Sequence, residues 1–506
     1  MKIERTKNAA RNIVFGVVLK LYQIFIPFLM RTAMIYFMGV QYLGLNSLFT
    51  SVLQVLNLAE LGVGSAMVFS MYKPIVDDDS KTICALMHLY RTYYNVIGVI
   101  IAVVGIVVTP FIPHLIKSDL PPELNVYVLY LLNLAATVLS YWLFAYKNAL
   151  FQAHQRNDIT SKITLITSTI QYAVQLAVIV WIKDYYLYVI AALATQAITN
   201  IVTALAANKI YPDYHPKGKL DKIAVRDINH RIRDLFTSKL GAVIVNSADT
   251  VVISAFLGLT VLAVYQNYYF IMNSICGFIG VIFASVTAGI GNSLATENIE
   301  KNYRDFKIFS FLICFVLCIC CNCFIALYQP FMEMWVGKDL MLPFIFVILF
   351  CILFYLLELA MVWATIKDAA GLWHSDRFRP LIGALVNLVL NIFLVQSIGL
   401  YGIILSTVLS YLFVSMPWLI HNLFSLLYKK SLRGYLKKII LYVFVCILSC
   451  FVTYYLCSLI VVNGLIKLII YGAIALATSL IIQVIFYYKL DEYKNSARLI
   501  KSILRR

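Results

Sequence analysis

The sequence predicts an all-α integral membrane protein of about fourteen transmembrane helices. Three observations predict it. Hydrophobic residues fill 62% of the 506 positions and charged residues only 13%, against about 45–50% and about 25% in soluble domains. The apolar residues gather into runs of about 20, the length that crosses a bilayer core as a helix. Lysines and arginines sit in the short gaps between these runs, and the gaps alternate between basic and nearly uncharged. A soluble core cannot hide this much apolar surface, so the solvent around the chain is lipid.

The runs, in order, are 12–36, 44–68, 92–115, 126–146, 163–182, 187–206, 240–257, 265–289, 306–328, 343–366, 380–396, 402–423, 439–462 and 465–488. The first is expected to stay as a span. It is long for a leader's apolar core, contains Lys20 and Arg31, and is followed by no small-residue cleavage site. Of the 41 basic residues, 35 lie in the gaps on the side of the N-terminus, with Lys307 counted in the gap it borders. The opposite gaps hold Lys117, Lys183, Lys338 and Lys467, and Lys20 and Arg31 lie within the first span. That asymmetry places both termini in the cytoplasm, in a multi-pass protein of a cell's inner or plasma membrane. The net charge of +17 is thus a signal of topology, and no nucleic-acid partner is expected. Within the longest inner gap, 207–239, Val225, Ile228, Ile232 and Leu235 recur at helical spacing among Lys222, Arg226, Arg231 and Arg233. This is the pattern of a basic amphipathic helix on the inner leaflet.

The chain also reads as duplicated. Phe37, Gly39 and Leu43 at the end of the first span match Phe256, Gly258 and Leu262 at the end of the seventh, an offset of 219. Lys147 with His154 seven residues on matches Lys367 with His374, at 220, and Gln171 with Gln175 corresponds to Asn387 with Asn391, at 216. Three matches in order at a nearly constant offset predict two six-helix lobes, 1–206 and 240–423, joined by the linker 207–239. Residues 424–506 add helices 13 and 14 and a basic cytoplasmic tail. Six spans per lobe is an even number, so the lobes share one orientation about an axis along the membrane normal, and transporters so built place the substrate path between lobes.

Cys314, Cys318, Cys320, Cys321 and Cys323 crowd one apolar run with no histidine near, and such cysteines act as small hydrophobes. No metal cofactor or disulfide framework is expected. No phosphate-binding glycine loop of the G-x-x-x-x-G-K-[ST] type occurs, so ATP is not expected to be a partner. The gaps are too short for a catalytic loop, which argues against an enzyme.

Four stretches resemble the polysaccharide (O-antigen and capsule) flippases of the multidrug/oligosaccharidyl-lipid/polysaccharide exporter superfamily. They are Ala59-Glu60-Leu61-Gly62-Val63-Gly64-Ser65-Ala66, Ser247-Ala248-Asp249-Thr250-Val251-Val252-Ile253-Ser254, Gly291-Asn292-Ser293-Leu294-Ala295 and Phe378-Arg379-Pro380-Leu381-Ile382. The resemblance implies a MATE-like fold in a bacterial cytoplasmic membrane. It also implies movement of undecaprenyl-diphosphate-linked oligosaccharide from the inner to the outer leaflet by alternating access. The implied partners are that lipid-linked oligosaccharide, membrane lipids and polysaccharide polymerase or assembly proteins. Two readings of the same superfamily stay open: a flippase for lipid II, the peptidoglycan precursor, and a multidrug or small-molecule cation antiporter.

Charged residues inside spans are the chemical signal, because each costs about 2.5–3.5 kcal/mol at mid-span on insertion scales. Lys20 and Arg31 are eleven residues apart, about 20° of helix rotation. With Gln23 and Pro27 between them they form one polar stripe, suited to the phosphates of a lipid diphosphate. Glu60 and Glu358 are further intramembrane acids, with Glu60 expected at a broken segment beside Gly62 and Gly64. Asp249 lies at an offset of 219 from the region of Arg31, so one lobe has an anion where the other has a cation. Asp249, Asn387, Asn391, Thr407 and the main-chain carbonyl of Ile403 make an oxygen set suited to Na⁺, while Asp249 alone would serve H⁺. Lipid II flippases of the superfamily carry a similar arrangement; here Asn391 stands where those proteins have a second acid.

Overall fold

The computed structural model describes residues 5–60, 62–117 and 120–504. Among them the regular structure is entirely helical, in two compact units, Met1–Ala263 and Val264–Arg506.

The first unit opens with α1 (Arg5–Phe37), continuous through Pro27, and turns at Gly39 into α2 (Val40–Leu56). A 3₁₀ turn, Asn57–Glu60, separates α2 from α3 (Val63–Val76), so the expected break at Glu60 is present. Gly62 sits there at φ 93, and a Cβ on it would lie 2.7 Å from the Leu235 Cβ, which only glycine allows. After α4 (Ser80–Val108), α5 (Val126–Trp142) bends into a 3₁₀ turn and α6 (Asn148–Ala153) at Phe144, a non-glycine residue at φ 60. The unit continues with α7 (Asn157–Ala177), α8 (Tyr185–Ile210) and α9 (Lys222–Leu257). Polar residues start these helices: Asp79, Asn125, Asp184 and Asp221 each accept from main-chain N–H groups of the first turn, supplying acceptors that the helix itself lacks there.

The basic segment of the 207–239 gap is the first part of a longer helix. From Lys222 it runs unbroken to Leu257, and its apolar stripe meets protein. Ile228 is buried, Leu235 closes on Gly62, Arg231 lies 4.8 Å over the Phe69 ring, and Tyr93 donates to Asn229 at 2.6 Å. The stripe is covered by α3 and α4 instead of by a lipid leaflet. Although the repeat groups the seventh span with the second lobe, α9 packs along α2 and α3 in the first unit.

The second unit takes most of α10 (Leu259–Thr296), then α11 (Ile299–Val336), α12 (Phe344–Ala369), the single turn α13 (Trp373–Asp376) and α14 (Arg379–Ile398). After Gly399, α15 (Leu400–Ser410) and α16 (Met416–Asn422) are joined and followed by π-turns. The chain ends in α17 (Arg433–Ser458), α18 (Gly464–Tyr487) and α19 (Asp491–Leu504). Helix α17 docks on α11 through a buried amide. Asn322 donates to the Cys318 carbonyl at 2.7 Å and accepts from Ser449 at 3.0 Å and Thr453 at 2.6 Å.

Eleven helices among the described residues are long and apolar enough to cross a membrane, or twelve if the bent α5–α6 pair is one span. The expected count of fourteen is not reached on that measure, for two physical reasons. The second span is split at Asn57–Glu60, and the seventh is the short apolar end, Val243–Leu257, of a helix whose beginning is charged.

Candidate functional site

Glu60 anchors a polar cavity of about 370 Å³ inside the first unit. The break between α2 and α3 places its carboxylate against two tyrosines. Tyr94 donates to Oε1 at 2.7 Å and Tyr141 to Oε2 at 2.8 Å, while Tyr90 donates to the Tyr94 hydroxyl at 2.6 Å. The opposite wall comes from α7 and α8: Thr160, Thr164, Ser168 and Gln171 on one, Thr195, Gln196, Thr199, Asn200 and Thr203 on the other. Their spacing of three and four residues puts them on one face of each helix. Phe144, at the α5 bend, completes the rim.

On α1, the four residues of the expected phosphate stripe have unequal surroundings. Lys20 and Gln23 are exposed, Pro27 is half-buried inside the continuous helix, and Arg31 is half-buried near Tyr188 of α8. Between them Tyr22 donates to Thr169 at 3.0 Å, which fixes α1 on α7.

In the second unit four of the five residues expected to bind an ion, Asn387, Asn391, Ile403 and Thr407, are brought together. Asn387, Asn391 and Ser406 are fully buried. Asn387 donates to Thr407 at 2.9 Å, Asn391 donates to the Asn387 carbonyl oxygen at 3.3 Å, and Thr407 donates to the Ile403 carbonyl at 3.2 Å. Ser406, which the sequence reading passed over, donates to both Asn391 Oδ1 and the Ile403 carbonyl. Asp249, the carboxylate of the expected set, is buried on α9 of the first unit. Glu358 is also buried, and its Oε2 has no hydrogen-bond partner among the described residues; the Cys276 thiol is its polar neighbour.

A third feature is apolar. A cavity of about 580 Å³ lies between α11, α12 and α17, lined by side chains such as Ile325, Ile348, Cys446, Ile447 and Phe451.

The family model for "Polysaccharide biosynthesis protein" matches residues 9–288. The chain belongs to that family. Among curated proteins, none matches it. Solved structures share the family member's fold at low sequence identity. The lipid II flippase MurJ, in an inward closed conformation, is 15% identical with a TM-score of 0.68, over 94% of this chain and 99% of that one. An inward-facing multidrug resistance MATE family transporter of the MOP superfamily is 14% identical with a TM-score of 0.60, over 80% and 96%. A MOP superfamily transporter from Pyrococcus furiosus is 14% identical with a TM-score of 0.54, over 84% and 97%. This polysaccharide biosynthesis family member is therefore a multi-pass membrane protein with the MATE- and MurJ-like fold.

Within it, the sequence reading found Glu60 and the amide pair of α14 but not the tyrosines or the α7–α8 wall. The available signal was polar spacing inside apolar runs, Thr160, Thr164 and Ser168 on one helix and Gln196 and Asn200 on the next.

Proposed function

We infer that the chain is a flippase for prenyl-diphosphate-linked oligosaccharide, carrying it from the inner to the outer leaflet of a bacterial cytoplasmic membrane with both termini inside. The observation that carries this reading is the apolar cavity beside α17. A lipid-linked load has a hydrocarbon tail that must stay in apolar surroundings while its sugar crosses, and burying each methylene is worth about 0.8 kcal/mol. A cavity of about 580 Å³ without a charged wall suits the tail, and the hydroxyl- and amide-lined cavity of the first unit suits the sugar. Lys20 and Arg31, with Gln23 and Pro27 between them, would meet the diphosphate, since cations replace the water around phosphate oxygens.

Movement against a gradient needs a driving force, and a monovalent ion supplies one. Asn387, Asn391, Thr407 and the Ile403 carbonyl present oxygens that at present accept hydrogen bonds from one another. These oxygens would coordinate Na⁺, and the Asp249 carboxylate would carry H⁺. The reading is one of transport, not catalysis, with polymerase or assembly proteins as later users of the delivered lipid.

A second reading is a flippase for lipid II. The fold match to MurJ spans 94% of this chain, against 80% for the MATE transporter, which favours a lipid-carried load over a small soluble one. The test is reconstitution of the full chain in liposomes carrying a fluorescent prenyl-diphosphate oligosaccharide or lipid II. Protein-dependent loss of inner-leaflet label, slowed at least about tenfold by Lys20→Gln with Arg31→Gln, is the expected result. No movement of either lipid, or full rates in the double variant, would overturn it.

A further inference from the structure

The cavity around Glu60 has a wall rich in acceptors. Several of the hydroxyl protons that might have faced it are already used. Thr160 donates to the Asn157 carbonyl at 3.0 Å, Thr195 to Ala191 at 2.9 Å, Thr199 to Thr195 at 2.8 Å and Ser140 to Thr137 at 2.7 Å. The Tyr94 and Tyr141 protons go to Glu60, and the Asn200 amide donates to the Ser140 carbonyl at 2.8 Å. Those oxygens keep lone pairs for the cavity, and Asn148 Oδ1 is a buried oxygen with no partner among the described residues, while the hydroxyls of Thr164, Ser168 and Thr203 can donate as well as accept. Among the described residues its lining contains one carboxylate and no lysine, arginine or histidine.

Such a wall selects its ligand by chemistry. The occupant has to bring several hydrogen-bond donors, because a buried acceptor left unpaired costs about 1–3 kcal/mol. It must not be an anion, because a second negative charge beside Glu60 would find no cation to offset it. The volume, about 370 Å³, lies in the range of small-molecule pockets and exceeds what a bare ion fills. Aromatic faces at Tyr94, Tyr141 and Phe144 add apolar contact on one side.

We propose that this cavity is a sugar-selecting site that takes a neutral, hydroxyl-rich sugar unit and rejects sugars bearing a carboxylate. Calling the sugar part of a lipid-linked load rests on the flippase reading; its class rests on the cavity alone. Hydroxyls of the sugar donate to Glu60, Asn148 and the threonine oxygens, while Gln196, exposed in the cavity, can both donate and accept. A uronic acid would set its carboxylate against Glu60. Replacing Glu60 by glutamine keeps the shape, supplies a donor and removes the repulsion.

The test reads binding and transport separately. Saturation-transfer NMR on the purified full-length chain would use methyl β-glucoside, methyl N-acetylglucosaminide and methyl glucuronide as probes. Neutral probes should bind at least about tenfold better than the glucuronide, and Glu60→Gln should bring the glucuronide within about twofold. The Gln196→Leu variant should weaken the neutral probes about tenfold at an unchanged melting temperature. Equal binding of all three probes, binding of none, or a preference untouched by Glu60→Gln would overturn the proposal. Stabilisation of the protein by NaCl over choline chloride that is lost in Glu60→Gln, with no sugar effect, would overturn it in favour of a cation. Liposomes loaded with neutral or uronic-acid lipid-linked sugars then separate the two claims. Selective binding with no transport would sink the flippase reading alone, and transport with unselective binding would sink the cavity proposal alone.

Discussion

His154 shows how much a single side chain can hold. It follows α6, buried, with Nδ1 2.8 Å from the Leu150 carbonyl and its ring stacked 4.3 Å from Tyr211. Burial holds its pKa below the usual 6.5, although the Leu150 bond works the other way, and Nε2 has no partner among the described residues. As pH falls the unfolded chain therefore takes up this proton first. The stability His154 contributes is complete above about pH 6.5 and is lost as pH drops below that value. Melting temperature should fall between about pH 7.5 and 5.5 more steeply in the wild type than in His154→Phe; parallel curves would refute the assignment. His374, its counterpart by sequence, is exposed, which a seven-residue spacing could not reveal. A second test at this scale concerns the ion. Sodium should raise the melting temperature over potassium and choline, and Asn391→Leu should abolish the difference. Equal melting in all three salts would remove the Na⁺ site from the mechanism.

Helix ends and breaks were legible wherever a residue type had only one physical use. Gly39 and Gly258, matched by the repeat, adopt φ 118 and φ 94 and begin α2 and α10 respectively; no side chain tolerates that backbone. Gln171 donates to Gln175 at 3.3 Å, as Asn391 does to Asn387, so that equivalence also has a structural counterpart. The course of α9 was less legible, because the same apolar stripe suits a leaflet or a neighbouring helix. Only the packing of Ile228 and Leu235 decides between them. Where α2 crosses the start of α10, a Cβ on Gly44 would come within 2.2 Å of the Leu259 carbonyl oxygen. Backbone cannot yield as a side chain can, so Gly44→Ala should destabilise the protein by about 3 kcal/mol and reduce its accumulation in membranes. Wild-type melting in that variant would show that the two helices separate at little expense.

For the molecule as a whole, composition and spacing sufficed for the class and the places of the helices, and four matching stretches for the family. They could not supply the span count by length and apolarity, because Asn57–Glu60 interrupts one run and charges extend another. Nor could they supply the cavities, whose walls join residues more than 100 positions apart, such as Glu60 and Gln196. Polar groups brought together from such distances also set a timetable. Asn322 is made 127 residues before Ser449, its partner. At about 5–20 residues per second of synthesis, α11 waits on the order of ten seconds in the membrane with its amide oxygen unanswered by α17. A chain stopped at residue 428 should therefore be cleared by quality-control proteases soon after insertion. Asn322→Leu, which removes the unmet acceptor, should lengthen the truncated chain's half-life in pulse-chase while shortening nothing in the full-length protein's insertion. Equal half-lives for the two truncated chains would mean that α17 arrives at no polar debt, and that the last helices of this protein are an addition to a finished bundle.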